Sequence, residues 1–260
     1  MFIPVSSAAP RRKPFVTILL LLVNVVVFIL MYLKPSLILN SSSVDEVQRK
    51  LAFIPVALLR GDRLWTLITC MFVHGDIFHL ISNMIFLLVF GSAVEGVMGH
   101  RRFIIFYILC GLSASLFHIL SISIIPQEFI LPYYSINPWV TPVIGASGAI
   151  SGVLGAYLIY YPRSKMTVVY PIILIPLVIT IPAWVYVLIW FTIQLFLGML
   201  VLVGYVVSSI AYWAHIGGFL TGVALSPLFM SRVMKMRIKY LRMIEKFFRE
   251  PLSLYVEEEF

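Results

Sequence analysis

Charge is scarce in this chain. Of 260 residues only 11 are acidic and 19 are Lys or Arg, against 61% hydrophobic residues. A water-soluble domain of this length cannot be solvated with so few charges, and stretches of 18 or more nearly uncharged residues are the pattern of membrane-spanning helices. Cysteine is almost absent. Cys70 and Cys110, the two present, show no paired spacing and say little about redox compartment. No HExxH occurs, so the helical zinc-protease pattern is missing, and no pair of aspartates falls within an apolar run. No internal repeat is visible.

What is present sorts into six apolar spans. They cover residues 15–33, about 78–98, about 102–123, about 143–161, about 183–204 and about 213–230. The apolar stretch 168–182 carries Pro171, Pro176 and Pro182. That spacing disfavours a helix, so it is expected to lie on or dip into the bilayer. The first span follows Arg11, Arg12 and Lys13 but is too long for a signal-peptide core and has no small-x-small cleavage site after it. It is read as a retained span.

The net charge of +8 does not imply nucleic acid, because the basic residues sit at the ends of apolar spans. With the N-terminus inside, Arg11, Arg12, Lys13, Arg101, Arg102, Arg163, Lys165 and seven tail residues fall on the inner side, 14 of 19. Lys34, Arg49, Lys50, Arg60 and Arg63 fall outside. This satisfies the positive-inside rule for six spans with both termini cytoplasmic. The expected fold is therefore an all-α polytopic membrane protein. It has a cytoplasmic segment 1–14, a six-span domain 15–230 with a long outer loop about 34–77, and a basic tail 231–260. Met234, Ile238, Leu241, Ile244 and Phe248 recur at helical spacing among the tail's Lys and Arg, a pattern that fits an amphipathic helix on the inner membrane surface.

Ionisable residues inside spans are costly and point to function. Here they are His79, Glu95, His118 and His215, with the polar Asn83 one turn after His79. Spans two, four and six run from outside to inside. His79 and Asn83, Ser147 and His215 each lie a few residues past the start of one of these spans, roughly 3–9 Å deep at ~1.5 Å per residue. Glu95, about 24 Å further along its helix than His79, belongs to the opposite face. A serine hydroxyl needs a base to become a nucleophile, and histidine is the usual one. An Asn amide, a His N–H and the backbone N–H of Ser147 can serve a developing oxyanion. No carboxylate is available to orient the histidine, which leaves a Ser–His dyad. The run GASGAISGVLGAY (145–157) around Ser147 also contains the GxxxG pair Gly148/Gly152, which lets membrane helices approach closely.

These residues resemble the rhomboid intramembrane serine proteases, over about residues 60–230. Gly145-Ala146-Ser147-Gly148 is similar to the family's GxSG motif, and His215 in AHIGGF to its general base. His79 and Asn83 in HGDIFHLISN match its His-xxx-Asn element, His74 a further structural histidine, and Glu95 in GSAVEGVMG the inner end of span two. Arg63-Leu64-Trp65 resembles the Arg/Trp feature of the family's first loop. Two positions depart from the pattern: Ile210 stands where a glycine is common, and Ser151 stands where some members carry an aromatic against the histidine. His215 is then expected to be held by other neighbours.

The resemblance implies a serine endopeptidase with Ser147 and His215 as catalytic residues. His79, Asn83 and the Ser147 backbone N–H would be oxyanion donors, with Gly145, Gly148 and His74 in support. It implies no metal and no cofactor, transmembrane proteins as substrates, the lipid bilayer as surroundings and no nucleic acid. It also implies a multi-pass protein of the plasma membrane whose site opens to the outer side. Two other classes fit the sequence less well. Inactive rhomboid-like proteins that bind membrane clients lose the serine or histidine, and this chain keeps both. Small transporters show inverted repeats, and none is visible.

Overall fold

In a computed structural model of the chain, residues 3–6, 13–124, 137–172, 175–206, 208–236, 239–240 and 243 are described. The chain divides into two units, Met1–Phe229 and Met230–Phe260. Arg11, Arg12 and most of the tail's apolar stripe, including Ile238, Leu241, Ile244 and Phe248, lie outside the described residues. The fold below is that of the first unit.

Among the described residues four helices are long and apolar enough to cross a membrane: α1 (Phe15–Leu33), α5 (Ile77–Met98), α6 (His100–Ile124) and α8 (Ala183–Leu202). Two more apolar helices, α7 (Ser147–Tyr160) and α9 (Tyr212–Phe229), pack with them. Their boundaries agree with the expected spans to within two residues, except for α7. That helix begins at Ser147, not 143, because Gly145 has φ +117°, which no right-handed helix contains. Its 14 residues rise only about 21 Å, and α7 is almost wholly buried from Gly148 to Tyr157. The outward faces of α1 and α8 show the reverse pattern of a water-soluble protein. Leu19, Leu22, Val26, Leu188, Ile193 and Phe196 are all exposed. This is an integral membrane protein, mostly helical.

The expected outer loop is itself structured. It contains α2 (Val44–Leu51), α3 (Pro55–Leu59) and α4 (Thr66–Thr69), with short 3₁₀ turns at Pro35–Leu37 and Cys70–Phe72. The Ser43 hydroxyl caps α2 by accepting from the Glu46 amide at 3.2 Å, satisfying one of the orphan donors of the first turn. At the other end the Arg63 guanidinium donates to the carbonyls of Arg49 and Lys50, where a cation meets the negative end of the helix. Arg63 therefore ties the loop together, and its backbone takes the left-handed φ of 54° to do so.

The all-α expectation is corrected by a three-stranded antiparallel sheet in the order β1 (Ile3–Ser6), β2 (Lys165–Ile172), β3 (Ile175–Pro182). The prolines that bar a helix from 168–182 are compatible with strands here. Pro171 faces Pro176, one pair from the end of the β2–β3 pairing and beyond Val169, which pairs with Ile3 of β1. Between Pro176 and Pro182 the run Leu177-Val178-Ile179-Thr180-Ile181 is rich in β-branched residues, which suit a pleated surface.

Helix packing at the centre depends on missing side chains. A Cβ on Gly218 would lie 2.0 Å from the Gly148 carbonyl oxygen, and one on Gly155 would lie 2.5 Å from the Phe219 oxygen. On the side facing α6, a Cβ on Gly152 would meet Cys110 at 2.4 Å and one on Gly148 would meet Ala114 at 2.6 Å. The small residues of 145–157 are thus the contact surface that lets α7 and α9 touch backbone to backbone and lets Cys110 and Ala114 of α6 pack directly on α7.

Glu95 completes the frame. Its carboxylate accepts from the amides of Val16 and Thr17 at 2.9 and 2.8 Å and from the Thr17 hydroxyl at 2.7 Å. These are orphan N–H groups of the first turn of α1, which has no cap of its own. A buried carboxylate at a helix N-terminus is stabilised by that end of the dipole, and His100 Nδ1 contacts the same carboxylate. Glu95 is engaged there, away from the histidines of the cluster described next.

Candidate active site

Ser147 is the first residue of α7 and His215 the fourth of α9. The close α7–α9 approach brings the two together, with Ser147 Oγ 2.8 Å from His215 Nε2. Both side chains are half-buried. The other ring nitrogen, His215 Nδ1, is 2.9 Å from Gln194 Oε1 on α8. The Trp190 ring, one turn before Gln194, lies 6.4 Å from the imidazole at an interplanar angle of 32°. These are the neighbours that the sequence left unnamed. Ser151, in the position where an aromatic was absent, turns back to its own helix and donates to the Ser147 carbonyl at 2.7 Å.

Across from the serine stands the start of α5. The Asp76 side chain caps this helix by accepting from the His79 amide at 2.8 Å, which fixes where His79 leaves the backbone. Gly75 N–H points at His79 Nδ1 from 3.5 Å, the outer limit of a hydrogen bond, and this leaves Nε2 as the donor nitrogen. Gly145 explains how close His79 comes. A Cβ there would be 2.7 Å from His79 Nε2 and 3.7 Å from Ser147 Oγ. Imidazole and hydroxyl therefore flank one small volume above Gly145, which only a glycine leaves open. Asn83 is buried one turn on and donates to the His79 carbonyl at 3.0 Å. Its amide carries a second N–H.

His74 is fully buried at the loop before α5, its ring 4.9 Å from that of His79 in an edge-on arrangement. Neither of its ring nitrogens meets a hydrogen-bond partner among the described residues. Burial, with His79 adding to it and Asp76 opposing, pushes its pKa down to about 3, so His74 is neutral. Gly148 belongs to the helix contact and not to the cavity's polar groups. His118 on α6 lines the same cavity.

That cavity measures about 1010 Å³ and has His79, Asn83, Ser147, Gln194 and His215 in its wall. Apolar side chains such as Met71, Ile122 and Trp190 line the remainder. A pocket of this kind, mostly apolar with a few converging polar groups, is the usual form of a ligand site. Among the described residues no three His, Cys, Asp or Glu side chains are grouped so as to hold a metal ion. Gln194 was missed in the sequence because it carries no charge. The available signal was a lone amide in the apolar run IWFTIQLF.

Comparison with known proteins identifies the class. The family model described as Rhomboid domain matches residues 61–232. RHOMBOID-like protein 4 of Arabidopsis thaliana is 30% identical over 182 residues, covering 67% of this chain and 36% of the relative. RHOMBOID-like protein 6, mitochondrial, of the same plant is 28% identical over 176 residues, covering 65% and 44%. Rhomboid protease GluP of Bacillus subtilis is 28% identical over 153 residues, 59% of this chain and 26% of that protein. The chain thus spans less than half the length of these relatives. It belongs to the rhomboid family.

Proposed function

We propose that this protein is an intramembrane serine endopeptidase that hydrolyses peptide bonds in or near the transmembrane segments of other membrane proteins. The observation that carries this reading is the 2.8 Å contact between Ser147 Oγ and His215 Nε2, set in a large cavity inside an apolar bundle. Family membership and a relative named as a protease support it.

His215 Nε2 takes the proton from Ser147 Oγ as that oxygen bonds to the substrate's carbonyl carbon. The carbonyl π electrons move onto its oxygen, which occupies the volume above Gly145. His79 Nε2–H, the second Asn83 amide N–H and the Ser147 backbone N–H donate to it there. As the first residue of α7, Ser147 has an N–H with no intrahelical partner, and the helix end favours negative charge. Collapse breaks the C–N bond, with the imidazolium giving its proton to the leaving amine. His215 then deprotonates a water molecule that hydrolyses the acyl-Ser147 ester, returning the free serine and a carboxylate product.

In the same reading six helices cross the bilayer with both termini cytoplasmic, and residues 1–14, 15–230 and 231–260 are the inner segment, catalytic domain and basic tail. The site opens to the outer side of the plasma membrane. The relative named as mitochondrial makes that organelle's membrane the competing address, which fractionation of cells decides. The function itself is tested by incubating purified protein with a panel of single-span membrane proteins. Wild type cleaves at least one member and Ser147→Ala cleaves none. Client binding without cleavage by folded wild type would favour an inactive rhomboid-like protein.

A further inference from the structure

A glutamine is out of place on α8. The side chains around it, Ile193, Leu195 and Phe196, are exposed apolar groups, as befits a helix facing lipid, and an amide turned the same way would be unsatisfied. Gln194 is turned inward. Trp190, Gln194 and Gly198 follow one another at intervals of four and so share a face, which meets α9 in antiparallel order. Trp190 lies 5.9 Å from the Phe219 ring, Gln194 contacts His215, and the Gly198 carbonyl accepts from Trp213 Nε1 at 3.0 Å. The two flanking contacts fix the register of α8 on α9, and that register puts the Gln194 oxygen at the imidazole.

We propose that Gln194 is a positioning residue that holds His215 in the tautomer its chemistry needs, an amide in the place where soluble serine hydrolases use a carboxylate. The proposal rests on the serine-protease reading above and adds a residue to it. A neutral imidazole has one N–H. With the Gln194 oxygen 2.9 Å from Nδ1, the proton belongs on Nδ1, which leaves the Nε2 lone pair aimed at Ser147 Oγ. The other tautomer would set two lone pairs against each other at Nδ1 and present an N–H to the serine, so that the base could not accept. When His215 takes the serine's proton, the bond to Gln194 becomes charge-assisted and stronger. An amide stabilises the imidazolium less than a carboxylate would, but it places no second charge in an apolar bundle, where an unpaired one is costly. Trp190 restricts rotation of the same ring from the side.

The test uses the full chain in detergent, a fluorophosphonate as the probe of Ser147 reactivity, and ¹⁵N-histidine NMR to read the His215 tautomer. His215→Ala assigns the His215 signals. Gln194→Leu removes the acceptor, and Gln194→Met, closer in shape, replaces it should the Leu protein fail to fold. Gln194→Glu keeps an acceptor in place. Wild type is expected to show the Nδ1–H form. The Leu or Met variant should label about 10–100-fold more slowly and lose that tautomer's signature, as a misoriented base costs up to ~10⁴ in related triads. The Glu variant should stay within a few-fold of wild type. On a substrate that wild type cleaves, kcat should fall with little change in KM. Wild-type labelling and unchanged His215 signals in the Leu or Met variant would overturn the proposal, as would a Glu variant as slow as Leu. Folded wild type that is not labelled at Ser147 would instead remove the protease reading on which it rests.

Discussion

Gly222 on α9 lies so close to Gly152 on α7 that a Cβ on Gly222 would sit 2.0 Å from the Gly152 carbonyl oxygen. The obstacle is backbone, which cannot rotate away. Gly222→Ala must therefore push the helices apart, at a cost of about 3 kcal/mol for overpacking of this kind. Because α7 and α9 carry Ser147 and His215, the same displacement separates the two. A lowered melting temperature together with loss of fluorophosphonate labelling is expected. A variant with wild-type labelling would show that the dyad does not depend on this contact.

Glu95 serves the frame and not the chemistry. Glu95→Ala leaves the part-buried amide of Val16 and the buried amide of Thr17 without their acceptor, and loss of hydrogen bonds to a buried charge costs on the order of 3 kcal/mol. The variant should melt earlier, while the fraction that remains folded cleaves at a rate close to wild type. Normal stability with lost activity would place Glu95 in the site after all.

His74 makes stability depend on pH. In the unfolded chain its imidazole takes a proton near pH 6.5, and in the folded protein only near 3. Between those values the unfolded state binds more protons, so stability falls as pH falls through this window and is restored as pH rises. The melting temperature of wild type should drop from pH 7 to pH 4. His74→Leu should drop less, since the other histidines remain. Parallel curves for the two proteins would contradict the burial of a neutral imidazole.

The proposed oxyanion donors have a kinetic signature. Removing one, in His79→Ala or Asn83→Ala, should lower kcat by roughly 10²–10³ with little change in KM, since the charge exists only in the transition state. For Asn83 a competing role is visible, because its amide already donates to the His79 carbonyl. Full kcat in a destabilised Asn83→Ala protein would assign it to holding the helix alone.

Polar residues stand out against apolar spans, and so Ser147, His215, His79 and Asn83 could be picked from the sequence, and the fold brings all four to the wall of one cavity. The glycines of 145–157 were legible as a helix contact for the same reason, through the bulk they lack. Gln194 escaped because an uncharged amide stands out less in an apolar run than an ionisable group does, and nothing local shows which way a lone amide faces. That depends on the register of α8 against α9, set by Trp190 and Gly198. The strands at 165–182 escaped because a continuous apolar run has no period to separate strand from helix; its prolines excluded the helix but did not supply the partner, β1, from 160 residues earlier in the chain. The bond of Glu95 to Thr17 spans 78 residues and is likewise a product of the fold.

The central claim is that Ser147 is a nucleophile activated by His215. Fluorophosphonate labelling followed by peptide mapping measures it most directly, without knowledge of the substrate. The account predicts a single adduct on the peptide containing Ser147. It predicts none in Ser147→Ala and labelling slowed by several orders of magnitude in His215→Ala, with the double variant no worse than either. A folded wild-type protein that takes up no probe at Ser147, or a His215→Ala protein that labels at the wild-type rate, would contradict it.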